Sequence, residues 1–104
     1  MRLKHRPWGD EFLKEHPELI KSKENINDPA FDEFLKREHI ALEIGVGRGN
    51  FILNMAKNNL DTSFLGVELS GMALAIAGKK ILQEEVTNLL LVLVLWFQLF
   101  QTDV

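Results

Sequence analysis

Between residues 40 and 94, short apolar runs alternate with helix-spaced segments, and no other feature restricts the fold of this chain so strongly. Ile40–Ile44 reads as a buried strand, Gly45–Gly49 as a turn, and Asn50–Asn58 as a helix with Phe51, Ile52, Met55 and Ala56 on one face. Thr62–Leu69 predicts a second strand. Ser70 is placed to cap a second helix over Gly71–Gln83, and Asn88–Val94 predicts a third strand. The sequence is uninterrupted and apolar from Leu89 through Phe97. That run falls short of the ~20 residues a membrane-spanning helix needs, and it suits a parallel strand covered on both faces. The pattern is β-α-β-α-β with short links. Right-handed crossovers then give a parallel sheet in the order 3-2-1, the first half of a doubly wound α/β fold.

With 104 residues, the chain is one domain at most. Residues 1–38 read as a basic lead-in and helix, 39–95 as the β-α-β-α-β unit, and 96–104 as an atypical tail. Within the lead-in, Glu11–His16 predicts a short helical turn ended by Pro17, and Lys21–Asn27 a polar stretch. Asp28-Pro29 is an N-cap followed by proline at the first helical position, predicting a helix to Glu38. A composition 46% hydrophobic and 26% charged is that of a folded protein. The absence of cysteine excludes a disulfide framework, a thiolate metal site and a cysteine nucleophile, and favours the reducing cytoplasm. Met1–Arg6 meets Pro7-Trp8-Gly9-Asp10 instead of an apolar stretch, so no signal peptide is expected. No membrane association and no metal are expected either. The net charge of −3 gives no global attraction to nucleic acid, so any such binding must come from a local basic patch. Arg2, Lys4 and Arg6 supply one: on alternate positions of an extended segment they face one way, toward phosphates, with Trp8 free to stack or anchor.

Open parallel sheets bind ligands beyond the carboxyl ends of their strands, which here means Glu43-Ile44-Gly45-Val46-Gly47-Arg48-Gly49-Asn50. Glycines at 45, 47 and 49 allow positive φ and leave the backbone open to a ligand, while the following helix presents unpaired N–H groups. The second strand ends in Glu68, whose two oxygens match a pair of ribose hydroxyls. Glu43, near the end of the first strand, requires either an ion pair or a ligand if it is buried. A dinucleotide site of the NAD type needs a third glycine at the position of Asn50, and the phosphate-loop pattern lacks its Gly-Lys-Ser/Thr. His5, His16 and His39 are scattered singly, Lys79-Lys80 reads as a solvated helix face, and Phe31, Phe34 and Phe51 read as core.

Arg2-Leu3-Lys4-His5-Arg6-Pro7-Trp8, the loop from Leu42 to Phe51, and Phe64-Leu65-Gly66-Val67-Glu68-Leu69 together resemble the bacterial tRNA (guanine-N7-)-methyltransferases, over residues 1 to about 92. The resemblance implies a class I, Rossmann-like fold and S-adenosylmethionine as cofactor, contacted by Glu43, Gly45 and Gly47, with Glu68 on its ribose. It also implies methyl transfer to N7 of a guanine in tRNA. N7 carries a lone pair and no proton, so no general base and no catalytic side chain is expected. Two departures stand out. The family's third acidic position falls on Leu95, and its Asp-Pro-Trp-Pro and Thr-x-Tyr-Glu guanine-pocket segments are absent from this sequence. The likeness stops abruptly near Leu93, as a frameshift or premature end would produce. A non-catalytic cofactor-binding fragment, pairing through an exposed third strand, is the reading that competes with an active methyltransferase, and an NAD-type unit is the third.

Overall fold

The computed structural model describes residues 3–23 and 25–94. Its elements run, in chain order, α1 (Pro7–Glu15), β1 (Ile20–Lys21), α2 (Pro29–Phe34), β2 (His39–Ile44), α3 (Asn50–Lys57), β3 (Thr62–Glu68), α4 (Gly71–Gln83) and β4 (Leu89–Leu93). All pairings are parallel and the sheet order is β1-β4-β3-β2. The expected order 3-2-1 is thereby corrected. The three strands after residue 38 are neighbours, with β3 between β2 and β4, but Ile20–Lys21 adds a fourth strand by pairing with Leu91 and Val92. Two residues cannot display an alternating pattern, and Lys21 belongs to what reads locally as a polar stretch. The pairing is decided by β4, not by β1's own sequence.

Lys21 is 2% exposed, and its ammonium donates to Asp28 Oδ2 at 3.1 Å. The other Asp28 oxygen accepts the Ala30 N–H at 2.7 Å and so caps α2. One carboxylate thus joins β1 to α2 and supplies the partner a buried ammonium requires. The helix stops at Phe34, short of the expected Glu38, because the Ser63 hydroxyl donates to the Phe34 carbonyl and the Arg37 guanidinium donates to that hydroxyl at 3.2 Å. Tertiary partners take over the carbonyl that a further helical turn would use.

On one face of the sheet, α3 and α4 bury Ile52, Leu53, Leu74, Ala77 and Ile81 against Phe64, Leu89 and Leu91. Ser70 caps α4, its hydroxyl accepting the Ala73 N–H at 3.1 Å. The other side of α4 is covered by α1, which extends back to Pro7 instead of occupying only Glu11–His16. Small residues permit this double burial: Ala73, Ala75 and Ala77 are at most 2% exposed, and a Cβ on Gly78 would lie 2.7 Å from the Phe12 ring. The inward face of α3 is Ile52, Leu53 and Ala56, whereas Phe51 is 66% exposed, correcting its assignment to the core. The expected free edge on the third strand is also corrected, since β1 covers β4. The two edge strands are β1 and β2, and on β2 Ile40, Leu42 and Ile44 are 55%, 61% and 68% exposed, which corrects the reading of Ile40–Ile44 as a buried strand.

Asn88 joins three elements at the foot of the sheet. Its amide nitrogen, within a 2% exposed residue, lies 3.0 Å from each of the Ala56, Asn59 and Thr62 carbonyls. Replacing Asn88 by Ala should cost about 2–3 kcal/mol, because buried carbonyls lose their donor, and lower the Tm by roughly 10 °C or more in thermal melts. A second expectation concerns pH. The Ala30 N–H, then the Lys21 ammonium, hold the Asp28 carboxyl below its usual range. A depressed folded-state pKa contributes stability above the unfolded pKa and loses it as pH falls through the folded one. Asp28→Asn should therefore lower the Tm at neutral pH, and the gap to wild type should close in melts taken through the acid range.

Candidate cofactor site at the glycine loop

The loop after β2 is fixed from three directions. At its start, the Gly45 and Val46 N–H groups both donate to the Val67 carbonyl, at 2.7 and 3.3 Å. In its middle, the Gly47 N–H donates to Glu68 Oε1 at 2.8 Å, while Glu68 Oε2 accepts the Leu69 and Ser70 N–H groups at 2.8 and 2.9 Å. At its end, Gly49 N–H donates to the Val46 carbonyl at 3.0 Å, and α3 begins. Gly45, Gly47 and Gly49 have φ of 81°, 58° and 83°, the left-handed region that disfavours other residues.

These glycines divide into two kinds. A Cβ built on Gly45 or Gly47 meets nothing within 4 Å, so open space lies beside the backbone there. One built on Gly49 would stand 2.7 Å from the Ala77 Cβ, so the missing side chain at 49 serves the contact between loop and α4. The sequence reading grouped all three as ligand-facing. A nucleoside cofactor fits the arrangement at 45 and 47, where backbone is approachable and a carboxylate stands beside it. Oε1 of Glu68 accepts only one hydrogen bond and retains acceptor capacity for a hydroxyl.

Glu43 and Glu68 share a face of the sheet, since Glu43 registers with Gly66, two residues before Glu68 on β3. Their surroundings differ. Glu43 lines a hollow of about 200 Å³ with Phe51, Ile52, Met55 and Phe64, and among the described residues it makes no hydrogen bond or ion pair. Glu68, by contrast, is bonded to the loop itself. A larger hollow of about 510 Å³ lies against Glu33, Lys36 and Arg37 by α2, near the opposite ends of the strands, so volume alone does not select the site.

Of the basic residues, Lys4 and Arg6 are exposed, and Arg2 lies outside the described residues, as do Leu95 and the tail 96–104. Trp8 stands edge-on to Phe12, with the Lys79 ammonium 5.1 Å from its ring centre, so it anchors α1 to α4. The solvated reading of Lys80 is corrected: its ammonium donates to the Arg48 carbonyl at 3.2 Å and to Asn50 Oδ1 at 2.7 Å. Nothing local in the sequence marks that contact. Also missed was the exposed group Glu38, His39 and Asp61, whose ligand-type atoms lie within 4.8 Å of one another at the amino-terminal ends of β2 and β3.

A parallel α/β sheet, with an open glycine bend and an acid at adjacent strand tips, defines a class of protein that receives a small cofactor at the carboxyl ends of its strands. The family model described as "Putative methyltransferase" matches residues 37–103, and the chain belongs to that methyltransferase family. The match continues past residue 92, where the motif resemblance ended. Proteins named tRNA (guanine-N(7)-)-methyltransferase are similar to it: that of Pediococcus pentosaceus is 39% identical over 90 residues, covering 86% of this chain and 42% of the relative. Those of Limosilactobacillus reuteri and Listeria innocua are each 39% identical over 93 residues, covering 88% of this chain and 44% of the relative. The chain spans less than half the length of these relatives.

The two kinds of glycine separate experimentally. Gly49→Ala should destabilise the fold by about 2–4 kcal/mol, combining left-handed strain with overpacking against Ala77. Gly45→Ala and Gly47→Ala should cost only about 1–2 kcal/mol, for the backbone alone. Urea unfolding of the three variants side by side measures the difference.

Proposed function

We propose that this chain binds S-adenosylmethionine at the glycine loop, and that it forms the cofactor-binding part of a tRNA (guanine-N7-)-methyltransferase acting in the cytoplasm. In this reading, the sheet is the first half of a doubly wound, Rossmann-like class I methyltransferase fold. The observation that carries it is the pairing of an open backbone at Gly45 and Gly47 with the Glu68 carboxylate, bonded to the Gly47 N–H at 2.8 Å. The family match and the names of the relatives support the choice of a methyl donor and of tRNA. Among the described residues, no helix is long and apolar enough to cross a membrane.

The cofactor, when bound, supplies a methyl group activated by a positively charged sulfur. What the chain's own residues contribute is holding and orientation. Glu68 accepts ribose hydroxyls while keeping its grip on the loop, since a carboxylate has more acceptor sites than the three N–H groups occupy. Gly45 and Gly47 let the ligand lie against backbone. Glu43, without a described partner, provides a carboxylate for a cationic group. A guanine N7 needs no deprotonation, so placing the reactants is the main catalytic requirement, and good placement lowers a barrier by several kcal/mol. Lys4 and Arg6, together with Arg2, are proposed to meet tRNA phosphates, where cations contribute affinity without sequence specificity.

A second reading is favoured by one finding: the chain covers 42% to 44% of its relatives. On that reading it binds the cofactor without turning over tRNA. Calorimetry with S-adenosylhomocysteine, followed by methyl incorporation into unmodified tRNA, separates the two. Binding with no incorporation selects the second reading, and absence of binding removes both. Glu68→Ala should weaken S-adenosylhomocysteine binding at least tenfold, as expected for loss of a charge-assisted contact, and NADH should not raise the Tm. Unchanged affinity in Glu68→Ala removes that residue from the site.

A further inference from the structure

We infer that Lys80 is a positioning residue for the glycine loop, holding it from α4 in the shape the cofactor meets. The inference rests on the reading of this loop as a cofactor site. Gly47 and Gly49 flank Arg48 with φ of 58° and 83°, and a peptide between two such glycines has no strong local preference. Gly49, the N-cap of α3, brings no side-chain hydrogen bond to the helix start. The orientation of this stretch must therefore come from outside it.

Lys80 supplies that restraint. Its ammonium lies 3.2 Å from the Arg48 carbonyl oxygen and 2.7 Å from Asn50 Oδ1, bracketing Gly49. Fixing the Arg48 carbonyl fixes the plane of the Arg48–Gly49 peptide, and with it the Gly49 N–H that donates to the Val46 carbonyl at 3.0 Å. Electrostatics argue that the contact is specific. A cation is favourable in the last turn of α4, where Lys80 sits, but unfavourable at the first turn of α3, toward which it reaches. Two oxygen acceptors offset that opposition, and no carboxylate pairs with Lys80 among the described residues. Ala77, one turn earlier on α4, meets the loop at Gly49 as well, so α4 grips the loop by packing and by charge. Glu68 holds the opposite side through Gly47.

The test uses the full chain, with S-adenosylhomocysteine as probe and two readouts: calorimetric affinity, and hydrogen exchange at the Gly47 and Gly49 amides. Lys80→Met should weaken binding roughly three- to tenfold and speed exchange at both amides by a similar factor, the range for a partly exposed charge-assisted hydrogen bond. Lys79→Met removes the same charge from the neighbouring position, which lies over Trp8, and should leave affinity within twofold. In an Asn50→Ala background, Lys80→Met should cost less than in wild type. Affinity and exchange both unchanged in Lys80→Met overturn the inference and leave the cofactor reading standing. If wild type does not bind the probe, the cofactor reading fails, and amide exchange alone decides whether Lys80 holds the loop.

Discussion

The carboxylate of Glu68 accepts three backbone N–H groups: one from the glycine loop and two at the start of the turn into α4. Through it the tip of β3, the loop after β2 and the entry to α4 share one anchor. A carboxylate is suited to this because it accepts at both oxygens without contributing a donor that would need its own partner. Were it absent, the Gly47 amide would face the cleft unpaired beside a backbone with left-handed freedom. In the proposed function the same group receives a ribose, so that on this reading the anchor of the loop and the contact to ligand coincide.

That anchor works only because α4 stands where it does. Small side chains along α4 allow it to be buried between the sheet and α1, and the Ala77 contact to Gly49 leaves no space for a side chain on the loop at that point. The residues Gly49, Ala77 and Gly78 are therefore selected by how closely neighbouring elements approach. Gly45 and Gly47 answer to a different constraint, an open surface. The glycine triplet is two constraints written in one letter, and only the approach of α4 tells them apart.

The central β-α-β-α-β unit was readable because its rhythm is local. α4 begins and ends where its N-cap and apolar spacing place it, and β3 and β4 differ from expectation by a residue at their ends. The bend of the loop and the position of Glu68 at a strand tip were readable because glycines at 45, 47 and 49 follow one predicted strand directly and Glu68 ends the next. What escaped had no local signature. β1 is two residues long, α2 is cut short by a hydroxyl from β3, and the inward face of α3 is turned toward Leu53 instead of Phe51. The Lys80 contact joins residues 30 and 32 positions apart.

By itself, the sequence determined which segments after residue 38 become strands and helices, where the chain bends without side chains, and which acids stand at the strand tips. Those properties follow from backbone freedom and apolar spacing within a few residues. Tertiary structure alone decided that a polar lead-in supplies an edge strand with a buried lysine, that Gly49 packs while Gly45 and Gly47 stay open, and that Glu68 is bonded to the loop while Glu43 has no partner among the described residues. Each of these depends on the distance between elements far apart in the chain, and such a distance is set by packing the whole core at once.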